Sequence, residues 1–369
     1  MRLISIDVLK EGMVIGRTIW NEAGHPLLKK GVVVNERIIL RLQQLHTHYV
    51  YIDDAISKGI EVEDTVPPVM RNKAIDTIRK SFQSLNGLNP SSASYVLDQH
   101  SKAISSIIEE LLSAVTGNNE ILTILGDAFL FDEYLYQHSF QVTLYSIAIG
   151  KELGHSQEDL RLIGIGALLH DIGKIMVPKE IITKPGRLTH DEFETMKMHT
   201  RYGFDLLRNL HSISLLVAHC AFQHHERIDG SGYPRGLVDF EIHPFAKIIG
   251  VADVFDAVTT NRVYREKMLP SQGLAIIEAG SGTLYNPRIV NALKKAIVHY
   301  PKGTILKLSD GRRGIVSKQN PSTPEYPWLR IFEENNELVP ATYEINLAEN
   351  ATVRIEKVET DYIVGSKPE

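Results

Sequence analysis

The chain has 369 residues, more than one domain usually contains, which predicts a central domain with smaller flanking pieces. Its composition, 43% hydrophobic and 23% charged, is that of a globular protein and excludes a disordered, collagen-like or coiled-coil chain. A formal net charge of −5 excludes the overall basic field that drives non-specific binding to duplex nucleic acid.

Cysteine content and hydropathy bear on the compartment. Cys220 is the only cysteine, so no intramolecular disulfide can form and nothing indicates an oxidising compartment. The charged N-terminus lacks an apolar stretch long enough for a signal peptide, and apolar runs such as 163–169 are too short to span a bilayer. We therefore expect a cytoplasmic protein without a membrane segment.

The first part of the chain predicts strands and one short helix. Residues 1–55 mix short apolar stretches with turn signals such as 21–24, which is typical of a small β-rich domain. Residues 56–95 are expected to be a linker region. Within it, apolar residues recur at helical spacing from Ile75 to Leu85, and 84–94 is rich in Ser, Asn and Gly.

The remainder of the chain divides into a helical part and a β-rich end. From residue 96 to about 300 the apolar residues follow a helical period. Residues 301–369 revert to short apolar runs broken by Gly and Pro, such as 304–308. The expected fold is therefore mainly α, with a small β-rich N-terminal domain and a β-rich C-terminal tail.

Several histidines fall on the inward face of these predicted helices. His138 shares a stripe with Val142, Tyr145 and Ile149, although such a histidine taken alone is more often an ordinary core residue. His199 lies on the inward side of the helix that opens at 189–192, but it could equally be a surface histidine.

Adjacent polar pairs add further candidate ligands. His170 and Asp171 end a helix that opens with a capping pattern at 156–159, where the aspartate could bridge two cations; the pair alone is weak evidence. His224 and His225 precede a glycine-rich loop at 226–234, which could also be a simple surface turn. Consecutive histidines point about 100° apart on a helix, so both reach one cluster only near a helix end.

Two carboxylates complete this set. Asp253 and Asp256 are three residues apart in an apolar stretch, so both can face the same interior. An unpaired buried carboxylate is costly, which favours a cation as its partner. Mixed His and Asp ligands suit Fe, Mn or Zn, and two such metals favour phosphoester hydrolysis. The expected metal ligands are His138, His170, Asp171, His199, His224, His225 and Asp253.

Three ordered motifs, at 170–175, 224–234 and 251–257, resemble the HD-GYP family of cyclic di-GMP phosphodiesterases, a branch of the HD phosphohydrolase superfamily. The resemblance implies an HD-type helical bundle with two or three metals. It also implies hydrolysis of cyclic di-GMP to linear pGpG, often onward to GMP, by attack of a metal-bridging hydroxide. Residues 9–53 more weakly resemble a small domain of unknown function found ahead of such domains.

The resemblance also assigns roles to individual residues. Asp171 would bridge the metals, with His138, His170 and Asp253 completing one site, and with His199, His224 and His225 forming the other. Asp171 and Lys174 are the expected catalytic residues, although Lys174 could instead be an exposed lysine. For Arg262 or Arg265 taken alone, exposure on a solvated helix face is almost as good an interpretation as substrate binding. The expected substrate-binding residues are Lys174, Tyr233, Asp256, Arg262 and Arg265.

One position departs from the family pattern. Members with a third metal carry a glutamate four residues before the first histidine, whereas Tyr134 stands there in this sequence. Glu133 is adjacent but would point about 100° away on a helix. We therefore expect two divalent transition-metal ions, Fe or Mn.

Alternative functions remain open. An HD enzyme acting on another nucleotide would share the metal ligands but would have no reason to carry the Gly-Tyr-Pro loop. A catalytically silent module that binds cyclic di-GMP or a partner protein would usually have lost some ligands. A purely structural helical protein would bury seven ionisable groups without a metal, which is unfavourable. Homodimerisation and protein partners in signalling are also open.

Overall fold

The computed structural model describes residues 1–20, 25–45, 47–117, 134–184, 186–260, 268–350 and 352–364, with Tyr134 described by its backbone alone. These residues form two compact units. The first contains residues 1–64 and 298–364, and the second contains 65–117 and 134–297 of the described residues. We call them the β unit and the helical unit.

The N-terminal part of the β unit is a small antiparallel sheet, a hairpin and one helix. Strands β1, β5 and β2 pair in that order, and β3 pairs with β4. Buried Ile4, Ile15 and Ile52 form its core with Leu42 of the helix. Its elements are β1 (Arg2–Ser5), β2 (Val14–Ile15), β3 (Ile19–Trp20), β4 (Pro26–Leu28), α1 (Glu36–Gln44) and β5 (Tyr49–Asp53).

The C-terminal part is a five-stranded antiparallel sheet in the order β10-β6-β7-β8-β9. Alternate residues point inward, so Leu306, Val316 and Leu329 pack into one buried cluster. The strands are β6 (Ile305–Leu308), β7 (Arg312–Lys318), β8 (Trp328–Glu334), β9 (Glu337–Asn346) and β10 (Ile355–Glu359).

The helical unit carries the longer helices. Its elements are α2 (Pro68–Gln83), α3 (Pro90–Gly117), α4 (Tyr134–Glu152), α5 (Gln157–Leu169), α6 (Lys179–Ile182), α7 (His190–Leu207), α8 (Leu215–Gln223), α9 (Pro244–Thr259), α10 (Pro270–Ala279) and α11 (Pro287–Ala296). A 3-10 helix, Ile172–Met176, follows α5. Among the described helices, none combines the length and apolar character that crossing a bilayer requires.

Packing within this unit follows from the apolar character of its inner helices. Helix α9 is apolar on nearly every side and is buried along most of its length, where it packs against α4, α5 and α8. Helix α5 approaches α8 closely at Gly166, where a Cβ atom would lie 3.0 Å from Sγ of Cys220. The ends of these helices therefore converge in the interior.

The predicted fold class is confirmed, but two local expectations differ from the structure. Helix α3 begins at Pro90, inside the segment 84–94 predicted as a linker, because Asn89 caps its first turn by accepting a hydrogen bond from the amide of Ser92. The two β-rich ends, predicted as separate pieces, share one unit: the amide of Ser5 donates to the carbonyl of Thr360 at 2.7 Å. Such long-range pairing leaves no local sequence signal.

Candidate metal centre

Seven potential metal ligands converge in the helical unit from five different segments. Helices α4, α7 and α9 each supply one ligand from within the helix, whereas the ends of α5 and α8 each supply an adjacent pair. These residues are His138 on α4, His170 and Asp171 at the end of α5, His199 on α7, His224 and His225 after α8, and Asp253 on α9.

The ligand atoms form two groups that share Asp171. In one group, Asp171 lies with His199, His224 and His225, and all ligand atoms are within 4.8 Å of one another. In the other, Asp171 lies with His138 and His170 at the same spacing. A carboxylate common to both groups is in a position to bridge two cations.

The two oxygens of Asp171 face opposite groups. Oδ1 lies 3.4 Å from Nε2 of His199 and 3.8 Å from Nε2 of His224. Oδ2 lies 3.3 Å from Nε2 of His170 and 3.5 Å from Nε2 of His138. Each oxygen can therefore serve a different cation.

The backbone fixes the protonation of three of these imidazoles. In each, Nδ1 lies at hydrogen-bond distance from the carbonyl oxygen three residues earlier, and a carbonyl only accepts. Nδ1 must then carry the proton, which leaves Nε2 of the neutral ring with a bare lone pair directed at the centre. The pairs are His170 with Ala167 at 2.6 Å, His199 with Met196 at 2.7 Å, and His224 with Ala221 at 2.9 Å.

Two of these lone pairs lie close together, and the described residues place no donor between them. Nε2 of His199 and Nε2 of His224 lie 3.4 Å apart, too close for two neutral acceptors unless a cation or a proton lies between them. Nε2 of His170 and Oδ1 of Asp171 are buried and make no hydrogen bond within the described part of the chain. Because unsatisfied buried acceptors are costly, this donor set fits a bound divalent cation.

Burial keeps three histidines in the neutral form that metal ligation requires. It lowers the pKa of His199 to about 4, against the opposing charge of Asp171. Burial and neighbouring histidines likewise lower the pKa of His224 and of His225 well below the ordinary value. These three rings are therefore neutral at physiological pH.

Asp171 itself remains ionised. Burial alone would raise the pKa of its carboxyl, but the positive charge of Lys174 and the adjacent His170 ring hold that pKa well below the ordinary value. Nζ of Lys174 lies 2.5 Å from Oδ2 of Asp171, and its side chain is 21% exposed. The lysine expected beside a phosphate therefore contacts the shared carboxylate in this structure, at the more open side of the centre.

Asp253 is a neighbour of both groups. Its Oδ1 lies 3.2 Å from Nε2 of His138, and its Oδ2 lies 3.6 Å from Nδ1 of His225. Burial would raise the pKa of Asp253, but the hydrogen bond from His138 and the neighbouring His225 ring lower it well below the ordinary value. Asp253 thus contacts one histidine of each group, although it belongs to neither group of mutually close ligand atoms.

Asp256 lies behind His138. Its Oδ2 is 2.7 Å from Nδ1 of His138, its Oδ1 accepts a hydrogen bond from Thr260 at 2.8 Å, and the residue is fully buried. The substrate contact expected from the sequence stays a prediction. The observed contacts are those of a carboxylate that orients a ligand histidine.

His138 is held between carboxylates. Burial lowers its pKa, but the hydrogen bonds and charges of Asp253 and Asp256 outweigh this and raise the pKa to about 9. In the absence of a cation the ring therefore carries two protons. A cation beside its Nε2 must replace one of them.

The glycine-rich loop borders the centre through Tyr233. The Tyr233 ring stacks on His225 with centroids 4.6 Å apart and an interplanar angle of 28°. Glu226 holds the loop, because its two carboxylate oxygens accept the amides of Arg235 at 2.8 Å and Leu237 at 2.9 Å. At Gly232, a Cβ atom would lie 2.4 Å from the amide nitrogen of Arg227, so the loop can close only with glycine there.

Comparison with protein families matches residues 103–289 to the HD domain. The chain belongs to the HD domain family. The family predicted from the three motifs is thus confirmed, and the seven candidate ligands all lie inside the matched residues.

Individual HD domain relatives cover different shares of the chain. A cyclic di-GMP phosphodiesterase of Pseudomonas aeruginosa is 28% identical over 100% of this chain and 92% of its own length. A cyclic di-GMP phosphodiesterase of Thermotoga maritima is 37% identical over 66% of this chain and 65% of its own length. Among solved structures, an HDG"Y"P protein of Bdellovibrio bacteriovorus is 18% identical, covers 79% of this chain and 97% of its own, and has a TM-score of 0.47.

Some sequence-derived expectations for this HD domain concern residues outside the described ranges. Arg262 and Arg265 lie in the segment 261–267, and residues 132 and 133 lie in the segment 118–133. The side chain of Tyr134 is also not described. The expectation that two arginines grip phosphate and the argument from Tyr134 for two metals stay predictions.

Two residues of the HD domain gain roles that the sequence did not indicate. Glu226 was noted only as part of a motif, yet its buried carboxylate organises the loop that carries Tyr233. The sequence signal for this role was the position of Glu226 directly after His225 and before three glycines. The orienting role of Asp256 had no such signal, because helical spacing does not reveal which neighbouring helix a side chain meets.

Proposed function

We propose that this chain is a metal-dependent phosphodiesterase that hydrolyses cyclic di-GMP to linear pGpG and onward to GMP. The observation that carries the proposal is the pair of Nε2 atoms of His199 and His224, 3.4 Å apart with their Nδ1 protons committed to backbone carbonyls. A bound cation would accept both Nε2 lone pairs. The substrate is inferred from the relatives, two of which are named cyclic di-GMP phosphodiesterases.

The proposed cofactors are two divalent ions, Fe or Mn. The two donor groups that share Asp171 support the number, and the mixture of imidazole and carboxylate donors supports the identity. We propose that His138, His170, Asp253 and the bridging Asp171 hold one ion, and that His199, His224, His225 and Asp171 hold the other. When bound, such a pair polarises a phosphodiester oxygen and activates a water molecule for attack.

The chain's own residues position and neutralise the substrate. Lys174 places an ammonium group on the open side of the centre, where it can stabilise charge on the phosphate or assist the departing oxygen. Tyr233 lines the nucleotide side of the centre next to His225. Asp256 orients His138 and is proposed as a positioning residue, while Arg262 and Arg265 are proposed to bind phosphate.

A cytosolic location is part of the proposal. It is supported by the single cysteine, which excludes an intramolecular disulfide.

The proposal is tested with anaerobically purified protein loaded with Fe or Mn. We expect cyclic di-GMP to be converted to pGpG and then to GMP, with two ions bound per chain. Asp171→Asn should lose bound metal and lower turnover by more than about 100-fold, since it removes the ligand common to both groups. Exposed Asp191→Asn on α7 is the matched control and should behave as wild type.

Each alternative has its own result. Full turnover by Asp171→Asn would refute the metal-dependent mechanism, and three tightly bound ions would refute the two-metal site. Turnover of cyclic di-AMP or cyclic GMP-AMP in preference to cyclic di-GMP would indicate an HD enzyme for another nucleotide. Binding of metal and of cyclic di-GMP without turnover would indicate a silent binding module.

A further inference from the structure

The metal centre is more open on one side than on the others. The side chains of His138, His170, Asp171, His199 and His224 are at most 2% exposed. In contrast, the side chain of His225 is 18% exposed and that of Lys174 is 21% exposed. Solvent therefore reaches the centre at His225 and at Lys174.

A row of aromatic rings leads away from this open side. Tyr233 stacks on His225, and Phe193 of α7 contacts Tyr233 with ring centroids 6.0 Å apart and planes at 79°. Phe193 is 43% exposed, so much of it faces solvent beside the loop. Phe193 is thus one ring beyond Tyr233 as seen from the metal centre.

A lysine accompanies these rings. Lys197 follows Phe193 by one helical turn, and its Nζ lies 4.9 Å from the Phe193 centroid and 5.6 Å from the Tyr233 centroid. Glu194 fixes the ammonium at 2.7 Å. The rim that continues from the metal centre therefore presents aromatic surface and positive charge together.

We propose that Phe193 is a specificity-determining residue that stacks against a base of the nucleotide substrate, beyond Tyr233 from the metals. This inference rests on the proposed function and extends it to the substrate's base. A single exposed phenylalanine needs no explanation by itself. Here, however, the ring is continuous with the open side of a metal centre and has a fixed cation beside it.

The order of metal centre, Tyr233 and Phe193 corresponds to the order of phosphate, ribose and base in a nucleotide. When the phosphodiester lies at the metals, the ribose separates it from the base, so the base must lie some distance away along the rim. A ring there supplies a stacking surface for the base, and the ammonium of Lys197 complements the anionic backbone. Phe193 therefore acts on binding of the base and leaves the reacting phosphate unaffected.

The test compares two substrates in four variants. Phe193→Ala should raise the KM for cyclic di-GMP by about tenfold, the loss expected from one stacked base. Its kcat, and its turnover of bis(4-nitrophenyl) phosphate, which has no nucleobase, should stay near wild type. Phe193→Tyr keeps the ring and should restore the wild-type KM, whereas Phe193→Leu keeps apolar bulk without a ring and should resemble Phe193→Ala. Phe240→Ala is the control, because Phe240 is 87% exposed in the same unit.

Several outcomes would overturn the inference. A wild-type KM for cyclic di-GMP in Phe193→Leu or Phe193→Ala would do so. An equal loss of activity with both substrates would also do so, because it would indicate a structural role. Should Phe193→Ala fail to fold, the comparison of Phe193→Leu with Phe193→Tyr decides the question.

A binding measurement separates this inference from the proposed function. Calorimetry with a phosphorothioate analogue of cyclic di-GMP, which resists hydrolysis, is performed on the metal-loaded chain and the same variants. If wild type binds the analogue but never hydrolyses cyclic di-GMP with metal, the proposed function fails, and a tenfold weaker binding by Phe193→Ala still supports the inference. If wild type does not bind it, the inference is refuted, while turnover of the nucleobase-free diester independently reports on the metal centre.

Discussion

Gly173→Ala offers a test of how the metal centre is built, because Gly173 lies where the segment carrying Asp171 meets α7. A Cβ atom at this position would lie 1.9 Å from the carbonyl oxygen of His199 and 2.4 Å from the amide nitrogen of Gly203. Both are backbone atoms that cannot rotate away. Since ordinary contact begins near 3.4 Å, the segment must move from α7 by about 1.5 Å, the difference between 3.4 and 1.9 Å.

This displacement acts directly on the ligands. Asp171 is two residues before Gly173, and its Oδ1 lies 3.4 Å from Nε2 of His199, so moving the segment from α7 separates two members of the same donor group. A functional site tolerates about 0.5 Å of misplacement, and 1 Å costs about 100-fold in rate. We expect Gly173→Ala to lower kcat/KM by about 100-fold or more. Overpacking should also lower the free energy of unfolding by about 1–3 kcal/mol.

The assay measures bound metal, turnover and thermal unfolding in the same preparation. Gly203→Ala is the matched control on the other side of this contact. Its Cβ would meet the Cβ of Ala221 at 3.3 Å and the amide of Gly173 at 3.5 Å, which requires only a small adjustment. A folded Gly173→Ala protein with wild-type metal content and turnover would refute the reasoning, as would a Gly203→Ala protein that is equally impaired.

Two further predictions concern His138. Asp256→Asn removes the charged acceptor at Nδ1 of His138 and should weaken metal binding in that group by about 10- to 100-fold, measured by metal titration; an unchanged affinity would contradict the orienting role. Because the pKa of His138 is raised to about 9 in the metal-free chain, a cation there must displace a proton, so affinity at this group should rise about tenfold per pH unit up to that pKa. The lowered pKa values of His199, His224 and His225 leave those rings neutral, so the metal affinity of their group should not change between pH 7 and 8. The same pH dependence of metal affinity at both groups would contradict this difference in protonation.

The sequence was sufficient to predict the helical fold class, and the candidate ligands that it predicted lie close together in the structure. Helical periodicity placed His138 and His199 inward, and the structure brings both to Asp171. Periodicity could not predict which atoms orient them. Nδ1 of His199 meets the backbone carbonyl of Met196, and no side-chain pattern encodes that contact.

Asp256 illustrates the same limit. Its spacing from Asp253 correctly places both carboxylates in the interior, but the spacing could not predict that Asp256 meets Nδ1 of His138 while Asp253 meets Nε2. The β unit shows the limit at longer range, because the backbone hydrogen bond between Ser5 and Thr360 joins segments more than 300 residues apart. Tertiary packing decides these features, and local residue preference does not.

The adjacent pairs at 170–171 and 224–225 have a common physical explanation in helix termination. His170 and His224 are the C-cap residues of α5 and α8, and the last four carbonyl groups of a helix have no partner inside it. Nδ1 of each histidine donates to one of these carbonyls, on Ala167 and Ala221, so a group that helix termination leaves unsatisfied also fixes the ring's proton. Beyond the cap the backbone leaves the helical path, which allows the next residue, Asp171 or His225, to turn to the same centre. A single helix end thus directs two adjacent candidate ligands to one centre, an arrangement that the 100° spacing of a continuous helix would prevent.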